Sequence, residues 1–309
     1  MHIVISEFMD TGAVDLLRRD FDVLYEPDLV DRRADLLAAV AGADALIVRN
    51  RTRVDGDVLA AGNALKAIGR LGVGLDNIDV AACRQRGIHV LPATGANARA
   101  VAEYVVASIL VLTRGVYRDG DRVADGAWPR NAMSNGREVN GRTLGVVGFG
   151  GIGRLTARLA RGLDMRVVAH DPMLKDDDPV WRETGVTPDS LDGLLARSDA
   201  VTLHIPLTDG TRNLFDAARI ATMKDGAVLV NTARGGIVDE AALARALRDG
   251  KLGGAAVDVF GQEPLPAGSP LAGAPNVILT PHVAGLSEEA NTRVSDMVAQ
   301  RVADVLKQG

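Results

Sequence analysis

Short runs rich in valine, isoleucine and leucine alternate with helical patterns along nearly the whole chain. HIVI precedes TGAVDLLRR, FDVLY precedes RRADLLAAVAG, DALIV precedes DGDVLAAGN, and LKAIGRLG and IHVL flank NIDVAACRQRG. Strands that alternate with helices predict βαβ units and a parallel sheet, with the helices laid over both faces. The alternation restarts at Arg142. TLGVVGFG, MRVVAHD, AVTLHIP, GAVLVNTA, GGAAVDVF and NVILTP read as its strands, with IGRLTARLARGL, SLDGLLARS, TRNLFDAARIATM and DEAALARALRDG as helices between them. Two such series in 309 residues predict an α/β chain of two doubly wound parallel-sheet domains. A long helix over residues 98–120 should join the series, followed by a polar, turn-rich connection, GAWPRNAMSNGREVNG. The last helical pattern, SEEANTRVSDMVAQRVADVLKQ, begins after the second series closes and is expected to complete the first domain.

Composition excludes several classes. Aromatics make up 3% of the chain, so alanine, valine and leucine must fill the cores. A net charge of −5 argues against a nucleic-acid surface, which would need a basic face. The single cysteine, Cys83, cannot form an internal disulfide, so a reducing, cytoplasmic setting is expected. It reads as a small buried hydrophobe. The start, MHIVISEFMD, has neither the basic nor the apolar region of a secretion signal. The most apolar helical run, YVVASILVL, is well short of the roughly 20 residues of a membrane span, so no membrane partner is expected.

The segment Gly148-Phe-Gly150-Gly151-Ile152-Gly153 fits GxGxxG, and here it has its context: VVGFG ends a strand and IGRLTARLA begins a helix. Gly148 permits the tight turn, Gly150 a close approach of the backbone to a pyrophosphate, and Gly153 close packing of helix on strand. The helix N-terminus offers N–H groups and a positive dipole end to phosphates. Asp171, about 20 residues on at the end of the next strand, is placed to accept the ribose hydroxyls of NAD and to repel the 2′-phosphate of NADP.

Ligands of doubly wound sheets bind at the carboxyl ends of the strands. There GAVLVN leads to Arg234, GAAVDVF to Asp258 and Glu263, and NVILTP to His282. An arginine fork suits a carboxylate. A histidine works as acid and base near neutral pH. A carboxylate beside it orients the ring and favours imidazolium. Together these groups meet the needs of hydride exchange at a 2-hydroxy acid. His204, in LHIPLT, also ends a strand and reads as a wall of the cofactor pocket.

The stretches GRLGVGLDNIDV, LGVVGFGGIG, LHIPLT, NTARGGIVDEAAL, DVFGQEPL and LTPHVAG together resemble the D-2-hydroxyacid dehydrogenases, in that family's order and over most of the chain. The resemblance implies a Rossmann NAD-binding domain over residues 98–284. It implies a flavodoxin-like substrate domain from residues 1–97 and 285–309, and a homodimer built through the cofactor domains. It implies that Arg234 holds the substrate carboxylate, that His282 is the acid–base and Glu263 its partner, and that Asp258 lies by the nicotinamide carboxamide. It also implies that Gly72, Val73 and Gly74 offer N–H groups to the carboxylate. By the same resemblance, Pro206, Thr211, Thr232, Ala233 and Gly285 are expected among the cofactor contacts. No metal is implied. Ala100 stands where relatives often carry serine or threonine, which touches no catalytic role. The chain ends soon after its last helix, so serine feedback of the phosphoglycerate dehydrogenase type is not expected. Binding modules of this fold, the NAD-sensing corepressors, usually add long tails, and formate dehydrogenases carry glutamine where Glu263 stands. Both readings fit this sequence less well.

The substrate is hinted at by cations. Arg49, Arg51 and Arg53 alternate in VRNRTRV, and an extended segment would send all three to one side. Arg70 precedes the glycine-rich GVG, and Arg130 follows GAWP. A second anionic group on the substrate would account for them. ISEFMD, IVRNRT, GRLGVGLDNIDVAACR, VLPATG and GAWPR resemble the sulfolactate branch of the family, with 3-phosphoglycerate, hydroxypyruvate and glyoxylate as the other candidate substrates.

Overall fold

The computed structural model describes residues 1–117 and 119–308. Arg118, inside the expected long helix, and Gly309, at the end of the expected substrate domain, lie outside the described residues. The chain divides into two compact units, Met1–Asn97 with Leu286–Gly309, and Ala98–Gly285.

The first unit carries a five-stranded sheet: β1 (His2–Ile5), β2 (Asp22–Tyr25), β3 (Ala45–Val48), β4 (Ala67–Arg70) and β5 (His89–Pro92). Their order is β2-β1-β3-β4-β5, and every pairing is parallel. All residues of β3 and β4 are buried, as expected of strands covered on both faces. Helix Glu288–Gln308 covers one face, burying Val294, Val298, Val302 and Leu306 against Ile3, Ile5, Ile47 and Ala67. Gly69 makes this approach possible. A Cβ there would sit 2.7 Å from Val298 Cγ1. On the other face Leu36, Val40, Val58 and Cys83 pack against Leu46 and Ile68.

The second unit holds β6 (Thr143–Val147), β7 (Arg166–His170), β8 (Thr187–Pro188), β9 (Ala200–Leu203), β10 (Ala227–Asn231), β11 (Leu252–Val257) and β12 (Val277–Leu279). Their order is β12-β11-β10-β9-β6-β7-β8, again all parallel. The order reverses between β6 and β9, which puts the ligand crevice at the carboxyl ends of those two strands. Helix starts are fixed by aspartates. Asp55, Asp79, Asp216 and Asp239 each accept a hydrogen bond from the N–H three residues on, satisfying a donor that the helix cannot.

Two expectations are corrected, and one strand was not foreseen. The helix expected over 98–120 is Ala98–Arg114, because Gly115 takes a left-handed φ of 69° and stops it. TRNLFDAARIATM is helical only over Ala217–Thr222; Phe215, fully buried, instead forms a bridge with Val238. The two-residue β8 carries too little apolar pattern to be read from sequence.

Candidate active site

The glycine loop has the form its spacing predicts. Gly148 adopts φ 93°, and a Cβ there would lie 2.5 Å from the His204 carbonyl oxygen. A Cβ on Gly153 would strike the Gly148 carbonyl. Above Gly150 and Gly151 there is open space for 4 Å, so these two leave the backbone bare where a diphosphate would lie. Gly150 is the N-cap of helix Gly151–Arg161 and brings no side chain to its free N–H groups. Ile152 turns inward and packs on the core. Asp171 directly follows β7. Its Oδ2 accepts the Phe149 N–H at 2.8 Å and its Oδ1 accepts the Met173 N–H at 2.9 Å. Each oxygen retains a lone pair for a ribose hydroxyl.

Beyond β9, His204 is partly buried, and burial pushes its pKa down to about 4. Its Nε2 lies 3.1 Å from Thr202 Oγ1. A ring that is neutral at pH 7 is a wall, not a second acid. Pro206 accepts the Thr211 hydroxyl at 2.7 Å, and Thr211 closes the turn that follows β9. After β10, the buried Thr232 hydroxyl has no hydrogen-bond partner among the described residues. A polar atom held dry in this way is what a bound nicotinamide would satisfy. Bare loop, ribose acid and orphan hydroxyl together fit NAD.

Arg234 stands three residues past β10, on a turn that Asn231 builds. The Asn231 amide donates to the Arg234 carbonyl at 3.0 Å, and its Oδ1 accepts the Ala233 N–H at 3.1 Å. Arg234 Nη1 donates to the Ala233 carbonyl at 2.6 Å. A Cβ on Gly235 would overlap the Phe260 carbonyl, so this turn presses against the loop that carries Glu263.

His282 follows β12 in a left-handed conformation, φ 57°, which costs a non-glycine residue on the order of 1 kcal/mol or more. Its Nδ1 lies 2.8 Å from Glu263 Oε2. With Nδ1 donating to the carboxylate, Nε2 is the nitrogen left to exchange a proton. Glu263 is itself fixed, because its Oε1 accepts the Phe260 N–H at 3.0 Å. The side chains of His282 and Glu263 are 40% and 34% exposed, so the pair is open to a small molecule.

Asp258 explains how the strained backbone is held. It is 1% exposed. Its Oδ1 accepts the Thr280 hydroxyl at 2.6 Å and the Val283 N–H at 2.8 Å, and its Oδ2 accepts the Ala284 N–H at 2.9 Å. The Asp258 carbonyl accepts the His282 N–H at 2.9 Å. Because Thr280 spends its proton on Asp258, the Tyr104 hydroxyl, 2.6 Å away, must donate to Thr280. Burial, and to a lesser degree the Asp258 charge, raise the Tyr104 pKa, while the Thr280 contact lowers it. Gly285 follows Ala284 and ends this unit. Sequence reading missed Asn231, Thr280 and Tyr104. The one available signal was a polar residue closing an apolar strand, as Asn231 does.

In the first unit, Gly72 takes φ 152°, and a Cβ there would run into the Arg70 guanidinium. Val73 is 37% exposed, and Gly74 completes the loop. The expectation that Arg49, Arg51 and Arg53 share one side of an extended segment is corrected. Residues 50–52 form a bend. Arg49 is partly buried and reaches Asn291 Oδ1 at 2.7 Å, whereas exposed Arg51 pairs with Asp31. Arg130 is exposed, two residues from Trp128, which is 80% exposed.

Two expected results follow from this geometry. Asp171→Ala removes the ribose acceptor and the repulsion of a 2′-phosphate. The ratio of kcat/KM for NADH over NADPH should fall roughly tenfold or more; an unchanged ratio would remove the ribose role. His204 gives a pH signature. Its folded pKa is depressed, so between about pH 6.5 and 4 the unfolded chain binds more protons, and stability falls as pH is lowered through that window. Urea midpoints measured from pH 7 to 4 should fall less steeply for His204→Gln than for wild type. Parallel curves would show that the ring does not titrate in this way.

The comparisons agree with the geometry. Residues 106–284 match the model of the D-isomer specific 2-hydroxyacid dehydrogenase, NAD binding domain. The (S)-sulfolactate dehydrogenase of Chromohalobacter salexigens is 55% identical over 304 residues, covering 98% of each chain. The D-3-phosphoglycerate dehydrogenase of Archaeoglobus fulgidus is 38% identical, over 99% of this chain and 58% of its own length. Among solved structures, the D-lactate dehydrogenase of Aquifex aeolicus, complexed with NAD and lactic acid, has a TM-score of 0.85 at 30% identity, over 100% of this chain and 96% of that one. The chain therefore belongs to the D-isomer specific 2-hydroxyacid dehydrogenases, oxidoreductases that use NAD.

Proposed function

We propose that this chain interconverts (S)-sulfolactate and sulfopyruvate. The His282–Glu263 pair, 2.8 Å apart in the same unit as the glycine loop and Arg234, carries the chemistry. The full-length likeness to a sulfolactate dehydrogenase supports the substrate. The (S) label agrees with a D-specific family. In sulfolactate the sulfur-bearing carbon outranks the carboxyl, whereas in lactate the carboxyl outranks the methyl. The descriptor therefore changes while the spatial arrangement is that of D-lactate.

Arg234 holds the substrate carboxylate, with the N–H groups of Gly72, Val73 and Gly74 as further donors. In oxidation His282 Nε2 takes the hydroxyl proton, and the Glu263 carboxylate stabilises the imidazolium that forms. In reduction the same nitrogen returns the proton to the ketone oxygen. Bound NAD supplies the hydride acceptor, and NADH the donor. Gly148, Gly150, Gly151, Ile152 and Gly153 cradle its diphosphate by backbone contacts. Asp171 holds the ribose, and His204, Pro206, Thr211, Thr232, Ala233, Asp258 and Gly285 line the rest. Arg49, Arg51 and Arg130 are assigned to the sulfonate end, Arg51 by exchanging its Asp31 contact. The protein acts as a cytoplasmic homodimer; exposed Leu110, Tyr117 and Trp128 support such an interface. Among the described residues no helix is long and apolar enough to cross a membrane.

The test is NADH oxidation against sulfopyruvate, phosphohydroxypyruvate, hydroxypyruvate, glyoxylate and pyruvate. The highest kcat/KM is expected with sulfopyruvate. A preference for any of the others would replace the substrate and leave the chemistry in place.

A further inference from the structure

The five-stranded sheet has its own switch point. Strand order β2-β1-β3-β4-β5 means that the chain leaves β1 toward one edge and resumes at β3 toward the other. In sheets of this order, ligands bind at the carboxyl ends of the first and third strands. In this protein that position is filled from within. Glu7, two residues past β1, is 4% exposed. Its Oε1 accepts the N–H of Arg49 at 2.8 Å and of Thr52 at 2.9 Å, and its Oε2 accepts the N–H of Arg51 at 3.2 Å. Three amides converging on one carboxylate form an anion-binding nest, here occupied by a side chain. The opposite side of the turn is held as well. The Asn77 amide donates to the carbonyls of Arg49, at 3.0 Å, and Thr52, at 2.6 Å.

This clamp decides where the two arginines go. It bends the segment, so Arg49 and Arg51 diverge. Arg51 pairs with Asp31 at the surface, a contact open to exchange. Arg49 is fixed at three points: Nη2 to Asn291 Oδ1 at 2.7 Å, Nη1 to the Phe8 carbonyl at 3.4 Å, and its guanidinium 5.6 Å from the centre of the Phe8 ring. Only two of its N–H donors are used by those hydrogen bonds, out of the roughly five that a guanidinium offers. Burial disfavours the charge of Arg49 and the nearby Glu7 carboxylate supports it.

We propose that Glu7 is a positioning residue for substrate selectivity: by filling the amide nest at the switch point it fixes Arg49 for contact with the anionic group that distinguishes a doubly charged keto acid from a singly charged one. This rests on the sulfonate reading above. Neutral glutamine at position 7 would turn an N–H donor toward at least one of the three amides, and the turn would loosen.

The experiment measures kcat/KM for sulfopyruvate and for glyoxylate in wild type, Glu7→Gln, Arg49→Ala and the double variant. The sulfopyruvate-to-glyoxylate ratio should fall roughly tenfold or more in each single variant, and the double variant should fall little further, because both changes remove one interaction. If Arg49→Ala lowers the ratio and Glu7→Gln does not, or if the two losses multiply, the positioning role is overturned while the sulfonate reading stands. If Arg49→Ala leaves the ratio unchanged, the sulfonate contact and the role of Glu7 both fall. A purely structural Glu7 would lower the melting temperature and depress both substrates equally. Should Glu7→Gln not fold, Glu7→Asp keeps the charge but withdraws it by one methylene. It should lower the ratio in the same direction, and an unchanged ratio there would equally overturn the proposal.

Discussion

Replacing His282 with glutamine should cut turnover by about 10²–10⁴ while leaving a folded protein that still binds NADH. Glutamine can occupy the same space and hydrogen-bond Glu263, but it cannot take up and return a proton near neutral pH. The loss should appear in kcat, because the proton moves in the transition state and not on binding. Steady-state rates with sulfopyruvate, set beside NADH fluorescence titrations of the same variant, check both halves. Near-normal turnover in a folded His282→Gln would remove the acid–base assignment. Weak NADH binding with kcat retained would make His282 a cofactor contact instead.

The second large effect is one of stability. Asp258→Ala deletes a buried acceptor that serves the Thr280 hydroxyl and the N–H groups of Val283 and Ala284. The hydroxyl can turn elsewhere; the two amides cannot. The expected cost is about 3 kcal/mol or more, since each stranded buried donor costs about 1–3 kcal/mol. Natural stability is only about 5–15 kcal/mol, so this is a large fraction. His282, whose φ of 57° is sustained by this loop, should lose its alignment with Glu263, and activity should fall further than stability alone explains. Urea unfolding of both proteins measures the first part. A difference below about 1 kcal/mol would mean that the loop is held by other contacts.

Much of this architecture was readable because it depends on local pattern. Apolar runs such as AVLVN and TLGVV are fully buried strands, and periodicity finds those directly. The glycine loop was readable because Gly148 and Gly153 have no room for a Cβ. Arg234, Glu263 and His282 could be singled out because each follows a strand that ends in a breaker or a turn. What escaped was set by distant partners. The alternation of Arg49, Arg51 and Arg53 promised a shared face, but Glu7, 42 residues before Arg49, bends the turn. Thr280 looked like the end of a strand, and its hydrogen bonds to Asp258 and Tyr104 span 22 and 176 residues. Phe215 sat in a helical pattern, yet full burial and a bridge to Val238 outweighed its local preference.

The most direct test of the central claim uses the two enantiomers of sulfolactate, each carrying deuterium at C2, with NAD and purified protein. The account predicts that (S)-sulfolactate reduces NAD, that the deuterium is recovered in the NADH formed, and that (R)-sulfolactate is inert. Reduction of NAD by the (R) enantiomer, or NADH formed from the (S) enantiomer without deuterium, would contradict it.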